Sequence, residues 1–554
     1  MNYLFGILDD NTPLTIVSWF IHQDFYTTSE PLFKNIYIFF GTTFNSFIVY
    51  NFYILLTFVL NFIFVYKFFS FFSNSKISKI LVSLIFCFSP YFLYKSQVHI
   101  NLIPLWTLLI YINYQINLYL KNNYTPKTFI FSGLLLSFTI LYSNYLGYMG
   151  IVFAFFYYIY IYFENNFLSL RDFLIRILIF CLTVFSILLI FNFNYLKVNY
   201  LSFINNNTQK EKDTYLLKRG VDEFLLFSAK PYMYFTPPIF NPFFNPFTEV
   251  FLKINFLHPR SSDELILNTY IPNEHSTVYL GWVNIVFGFL GYKLLSKKQS
   301  LDLNRKDVYR FVIYILIIFF IFSLPPYFSF FNIKYYLPSY LSYLAFPMFR
   351  STARLSILVL LFLLVFVLRF YEQLFSKYQF TKYKKVLIYL AFTFTLMESF
   401  TIINFTKVDK IPDLLKFASN NLEKESIYFT YPYSKSNTTF FWSKDFQGRM
   451  FDYHYYARTL YQTENYPIYA EDIIKNCNNF SKIENLDYIV FYENIASEKS
   501  QQFFDKYFEV VYDSKKSNEP YIFNYFLFQI IDQSDNLSNN GKIYKFNKNV
   551  DCNK

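Results

Sequence analysis

The chain has 554 residues, of which 54% are hydrophobic and only 16% charged, and its mean hydropathy is +0.24. That balance excludes an ordinary soluble domain, in which roughly a quarter of the residues are charged. A net charge of +11 does not point to nucleic acid either, because the basic residues lie in loops between apolar runs.

Residues 1–46 form a hydrophilic first segment, "GILDDNTPLTIVSWFIHQDF", with Asp9 and Asp10 adjacent just before an amphipathic stretch. Two roles fit the pair. Asp before a helix caps its unpaired N–H groups. A carboxylate shielded from bulk water also has the raised proton affinity of a general base. No start-transfer helix precedes Asp9, which leaves two readings: the first residues cross the membrane as a short tail, or, as the pattern favours, one further helix belongs upstream with a cytoplasmic N-terminus.

About ten apolar stretches follow, at 47–70, 77–94, 99–119, 127–143, 146–163, 173–193, 276–296, 309–324, 355–371 and 384–403. Most approach the ~20 apolar residues that a bilayer core about 30 Å thick asks of a helix. They are apolar on every face, whereas the strands of a membrane barrel alternate. Lys and Arg concentrate in alternate connections: Lys67–Lys79, Lys121–Lys127, Arg171–Arg176, Lys293–Arg310 and Arg369–Lys385. By the positive-inside rule those face the cytoplasm. Residues 1–46, the loop 194–275, the connector 325–354 and the tail 404–554 then converge on the outer face.

The Phe (77) and Tyr (54) counts do not by themselves mark a sugar-stacking surface. Ile, Asn and Lys are inflated with them, as AT-rich codons produce. Cys87 and Cys181 lie within apolar helices, and Cys477 and Cys552 lie in the tail, where an oxidising compartment permits a disulfide. No Cys/His spacing suited to a metal occurs. Ionisable residues inside the apolar runs are few, with Glu398 and the Lys95/His99 pair at outer edges. Ion-coupled transport normally asks for more, and for duplicated broken helices.

Three outward features beyond the acidic first segment carry polar chemistry. In "SPYFLYKSQVHINLIPLW", Pro90 and Pro104 bracket a turn bearing Lys95, Gln97, His99 and Asn101. "NEHSTVYLGW" sets Glu274 and His275 at the mouth of a helix. "FPMFRSTARLSIL" sets Arg350 and Arg354 at i and i+4, on one face of a helix. Two guanidiniums there suit a phosphate or pyrophosphate, or else anchor to lipid headgroups. The loop 194–275 contains "YFTPPIFNPFFNPF", whose prolines preclude a regular helix. This segment is either a lid or a passive surface loop.

The tail reads as one small α/β domain. Strands are expected at Ser426–Tyr433, Leu486–Tyr492, Phe508–Asp513 and Tyr521–Ile530, with a helix at Ser497–Tyr507. Trp442, Asp445, Arg449, Asp452, His454 and Arg458 mix aromatic and polar groups suited to gripping a glycan. The last residues, "DQSDNLSNNGKIYKFNKNVDCNK", read as a frayed end.

The order of these pieces is an acidic outer segment, "SPY…HIN…PLW", a "SNY" turn, a long outer loop, "VYLG", "FRSTARL" before a helix, and an outer tail. It resembles the GT-C superfamily of membrane glycosyltransferases, most closely bacterial YfhO-like proteins, from about residue 5 to residue 530. The fold class so implied is a mainly α polytopic membrane protein of about ten helices (47–403), in the plasma or inner membrane. An extracytoplasmic α/β domain (404–554) follows. The resemblance implies a polyprenyl-phosphate sugar donor, without a nucleotide sugar, and a glycan, lipid or protein acceptor; no cofactor and no nucleic acid are expected, and dependence on a divalent metal stays open. Asp9 or Asp10 would be the base that takes the acceptor's proton. Arg350 and Arg354 would stabilise the leaving lipid phosphate, with Lys95, His99, Glu274 and His275 as further binding residues. Such a single displacement inverts the anomeric centre. Two alternatives stay open: an O-antigen-type ligase or polymerase, and a non-catalytic envelope-assembly or transport protein.

Overall fold

The computed structural model describes residues 46–98, 100–164, 169–205, 221–239, 241–248, 272–297, 303–330, 333–347, 349–376, 382–400, 413–421, 427–431, 449–450, 487–492, 498–514 and 541–545. Asp9, Asp10, His99, Cys477, Cys552, residues 442–448 and 452–458, and the expected strand 521–530 lie outside the described residues.

The apolar runs are helices: α1 (Ser46–Ser70), α2 (Lys76–Cys87), α3 (Pro90–Val98), α4 (Leu105–Lys121), α5 (Pro126–Tyr142), α6 (Asn144–Glu164), α7 (Leu170–Asn205), α10 (Trp282–Lys297), α11 (Leu303–Ser323), α13 (Ser356–Ser376) and α14 (Lys382–Ser399). The short helices α8 (Val221–Leu226), α9 (Pro272–His275) and α12 (Ser339–Ala345) lie in the connections. Among the described residues, four helical segments are long and apolar enough to cross a membrane: Asn51–Ser70, Asn144–Glu164, Leu170–Phe191 and Thr352–Phe375. A fifth is Lys76–Cys87 together with Pro90–Ser96, if the bent pair is one span. The chain is a multi-pass membrane protein.

The second expected span, 77–94, is therefore not straight. It bends by 45° between α2 and α3, because Pro90 has no N–H to continue the ladder yet suits the first position of a new helix. The third, 99–119, opens instead with a 3₁₀ turn at Ile100–Leu102, and its α-helix starts only after Pro104. Proline cannot cap with a side chain, and Asn61 of α1 does that work: its Oδ1 accepts from Trp106 N at 2.7 Å and its Nδ2 donates to the Ile103 carbonyl at 2.8 Å. Inside a bilayer such backbone groups have no water to turn to.

Helix α13 is the centre of the bundle, packed against α10, α11 and α2. Phe362 in its middle meets Phe68 at 5.7 Å and both Phe153 and Phe319 at 6.4 Å, ring centre to ring centre. Helix α7 lies on the flank, packs on α5, and leaves Leu178, Leu182, Phe185 and Ile190 exposed. The abundant aromatics thus fill the interior and coat its rim.

Between α11 and α13, strands β1 (Tyr327–Phe330) and β2 (Ile333–Tyr336) form an antiparallel hairpin. The C-terminal residues build a five-stranded sheet from β3 (Ile427–Tyr431), β4 (Arg449–Met450), β5 (Tyr488–Tyr492), β6 (Glu509–Asp513) and β7 (Gly541–Lys545), in the order β4-β3-β5-β7-β6. Helices α15 (Asp413–Asn421) and α16 (Glu498–Tyr507) accompany it. Strand β7 corrects the expectation of a frayed end, since it lies between β5 and β6 and pairs antiparallel with both. Ile543 and Tyr544 are fully buried there, and Lys542 and the Tyr544 hydroxyl both reach Asp505.

Candidate functional site

Chain direction places the ends of α3, α11 and α14 and the starts of α4, α10 and α13 at one end of the bundle, opposite the basic loops. Three elements bring charges together there: α3 supplies Lys95, α9 supplies Glu274 and His275, and a 3₁₀ turn at Thr352–Leu355 supplies Arg354. Lys95 Nζ is 3.0 Å from Glu274 Oε1. Arg354 takes the same carboxylate with two arms, Nε donating to Oε2 at 3.0 Å and Nη2 to Oε1 at 2.5 Å. The Ser351 hydroxyl donates to Oε2 at 2.9 Å. The guanidinium also lies over the Tyr145 ring at 4.1 Å. Exposure falls to 0% for Lys95, 3% for Glu274 and 9% for Arg354. Charges this deep persist only when paired with good geometry, and the two-armed guanidinium–carboxylate pair supplies it.

Beside this cluster, the carbonyl of Leu226 at the end of α8 accepts from Lys230 Nζ at 2.8 Å and from His275 Nε2–H at 3.0 Å. Lys230 and His275 are themselves 3.3 Å apart. Burial, with nearby Lys230 next in weight, holds His275 well below the ordinary histidine range, so the ring is neutral. Burial alone pulls the Lys230 ammonium down to about 7. The folded protein therefore holds fewer protons than the unfolded chain between pH 7 and the ordinary lysine range near 10.5. Stability is expected to rise with pH across that window, by up to about 1.4 kcal/mol per pH unit. Thermal melting of the detergent-solubilised protein between pH 7 and 10 measures it. Lys230→Met should flatten that dependence, and an unchanged slope would show that other groups set it.

Arg350 takes a different direction. Its Nη1 donates to Glu223 Oε2 of α8 at 2.6 Å, and its guanidinium covers the Phe227 ring at 4.4 Å. The expected i, i+4 pair on one helical face is not formed. Arg350 precedes the helical segment, with Thr352 N bonded to its carbonyl, and Arg354 sits in a 3₁₀ turn. The structure thus joins Lys95, Glu274, His275 and Arg354, and sets the half-buried Arg350 apart from them.

Sequence inspection missed Lys230, Glu223, Ser351 and Tyr145. The signal for Lys230 was an isolated lysine before proline in "SAKPYMY"; Ser351 and Tyr145 stand within the quoted "FRSTARL" and "SNY" stretches without being singled out, and Glu223 had no signal. The described parts of the long loop wall this end of the bundle. Ala229 N donates to the Ser323 carbonyl, and Asn241 caps α14 through the Met397 and Glu398 carbonyls. Glu398 in turn caps α10, its carboxylate accepting from Trp282 N at 3.2 Å and Val283 N at 3.4 Å. That is a favourable place for negative charge at a helix N-terminus. Among the described residues, no three His, Cys, Asp or Glu side chains are placed to hold a metal ion. The arrangement offers fixed cations and hydrogen-bond donors, suited to holding an anionic group.

A family model described as a domain of unknown function, DUF6311, matches residues 24–206. It includes Lys95 but not Glu274, Arg350 or Arg354. No curated protein matches the chain. Among solved structures, the chain is similar to ArnT from Cupriavidus metallidurans bound to undecaprenyl phosphate. That match is 9% identical with a TM-score of 0.41, over 98% of this chain and 94% of the other. It is also similar to the archaeal oligosaccharyltransferase AglB from Archaeoglobus fulgidus in complex with an inhibitory peptide and a dolichol-phosphate. There the identity is 11% and the TM-score 0.38, over 90% of this chain and 68% of the other.

Proposed function

We propose that this chain is a membrane glycosyltransferase of the GT-C kind, related to YfhO-like proteins. It moves a hexosyl group from a polyprenyl-phosphate donor to an envelope glycan, lipid or protein on the outer face. The observation that carries the reading is the buried Lys95–Glu274–Arg354 cluster, at the end of the helices opposite the basic loops. Cations fixed before the reaction stabilise charge that grows on a leaving phosphate, and they need no reorganisation when it forms. Glu274 positions Arg354 and Lys95 and spaces their charges. Asp9 or Asp10, as the resemblance assigns, removes the acceptor's proton in a single inverting displacement. The C-terminal sheet faces the same outer compartment and serves the acceptor.

Envelope glycans compared by mass spectrometry in wild type, deletion, and deletion complemented with Asp9→Asn/Asp10→Asn test this reading. A sugar lost on deletion should stay lost in the complemented strain at equal protein level. The loss corresponds to about 10²–10⁴ in rate, the usual share of general acid–base catalysis. Full restoration would remove the base assignment and favour a ligase, transport or assembly role.

A further inference from the structure

Two connections at the end of the bundle opposite the basic loops contain long stretches without charge. Between Lys230 and Glu249, and again between Lys334 and Arg350, the sequence has no Asp, Glu, Lys, Arg or His. Both stretches are also folded inside out. In the first, Thr236, Asn241 and Thr248 are buried, whereas Phe235, Phe243 and Phe247 are each more than half exposed. In the second, α12 buries Ser339 and Ser342 and turns Leu341 and Leu344 outward. Ile333 and Tyr336 of β2 are exposed as well, and the Tyr336 ring lies 4.7 Å from that of Tyr340 in α12. A surface made for water has the reverse order, so these faces mark a contact with something apolar.

The buried polar groups close the backbone of the same segments. Asn241 Oδ1 accepts from Phe243 N at 2.9 Å and from Phe244 N at 3.0 Å, while its Nδ2 holds the Met397 and Glu398 carbonyls. Thr236 and Thr248 donate to the Tyr232 and Pro237 carbonyls, and Ser339 donates to the Pro325 carbonyl at 2.6 Å. Pro237, Pro238, Pro242 and Pro246 have no N–H to satisfy. Lys334, the sole charged residue between Arg310 and Arg350 in the sequence, folds back. Its Nζ donates to the Tyr327 hydroxyl at 3.2 Å and lies 4.6 Å from that ring's centre. Irregular backbone beside hydrocarbon needs its polar groups satisfied within the protein in this way.

The place of the two segments says what covers them. The first is clamped where α10 begins and α14 ends, with the Phe244 ring 5.4 Å from Trp282 and 5.6 Å from Phe394. The second follows shortly after the end of α11 at Ser323 and leads toward α13. Both stand at the level where helices leave a bilayer, where Tyr and Trp are enriched. They border different helices, since Phe346 after α12 packs on Tyr148 of α6. A leaflet surrounds the bundle and reaches both segments, whereas a second copy of the chain would cover one side. Outward Phe and Leu side chains suit acyl chains, because they offer a glycan no hydrogen bond.

We propose that Phe235, Phe243 and Phe247 on one side, and Ile333, Leu341 and Leu344 on the other, are embedded in the leaflet farther from the basic loops. They form a collar at the boundary of headgroups and acyl chains and set the depth of this end of the bundle. Lys230 directly precedes the first segment and Arg350 closely follows the second, so the candidate site is held at headgroup level. The contact does not depend on the proposed transfer reaction.

Site-specific photo-crosslinking of the full chain in phosphatidylcholine nanodiscs tests the proposal. Benzoylphenylalanine is placed singly at Phe243 and at Leu344, with Phe235 and Leu341 as second positions if either variant folds poorly. Phe185 on the exposed flank of α7 is the lipid-facing standard, and Val510, exposed on β6 of the C-terminal sheet, is the comparison away from lipid. Peptide mass spectrometry after irradiation is expected to show lipid adducts in both segments at the yield seen at Phe185, and none at Val510. Adducts in either segment no more frequent than at Val510 overturn the collar. Cross-links to a second chain in place of lipid would overturn it as well, and would assign these faces to pairing of two copies.

Discussion

Glu274→Ala is expected to lower the stability of the folded protein by about 3–5 kcal/mol, the cost of stripping the partner from buried charges. Lys95 and Arg354 are both held against this one carboxylate. Neither is placed to recover water when it is removed, because both are buried. Thermal melting in detergent, with fluorescence-detected size exclusion as a check on folding, measures the loss. Glu274→Gln keeps the shape and should still lose much of the stability, since an amide cannot balance the cations. A second change separates charge from packing: Lys95→Met combined with Glu274→Gln removes one cation with the carboxylate and should recover part of the loss. A melting temperature unaltered in Glu274→Ala would mean that the cations are balanced elsewhere. Arg354 would then not depend on Glu274 for its position.

The helical membrane architecture was legible because it rests on length and hydropathy, which need no tertiary information. So were the polar residues of the candidate site, since Lys95, Glu274, His275 and Arg354 all stand out at the ends of apolar runs. Their partnership was not legible. Glu274 and Arg354 are 80 positions apart in the chain, and nothing local says which cation meets which carboxylate. The Arg350–Arg354 spacing misled for a related reason: i, i+4 means one face only inside an α-helix, and Pro347 precedes a segment that becomes helical only later. Strand β7 was hidden by its neighbours. "GKIYK" carries only two strongly apolar residues amid Asn and Lys, and it is a strand because β5 and β6 close over it. The bend at Pro90 was half visible, as a proline in an apolar run, but its angle depends on packing.

Gly291→Ala is the second large effect expected, and it tests how the bundle supports the site. Helix α10 lies so close to α13 that a Cβ on Gly291 would fall 2.0 Å from the Phe366 carbonyl oxygen and 2.8 Å from its carbon. Those are backbone atoms of the central helix and cannot turn aside, so the helices must part. Overpacking of this sort costs about 1–3 kcal/mol or more. That outweighs the ~1 kcal/mol which alanine otherwise gains over glycine in a helix. Gly288 is the internal comparison: a Cβ there meets the Leu363 Cδ1 methyl at 2.6 Å, the movable end of a side chain. Gly288→Ala should therefore be close to neutral, and Gly291→Ala clearly destabilising in the same melt. The consequence extends beyond stability. Helix α10 begins at Trp282, against the Glu398 carboxylate, shortly after Glu274 and His275 in the chain. Moving α10 away from α13 moves Glu274 away from Arg354, because Arg354 lies in the turn that leads directly into α13. Gly291→Ala should thus lower the proposed transfer activity by more than its loss of folded protein accounts for. If specific activity per folded molecule is unchanged, the close helix contact serves stability alone and the charged cluster is positioned by its own loops.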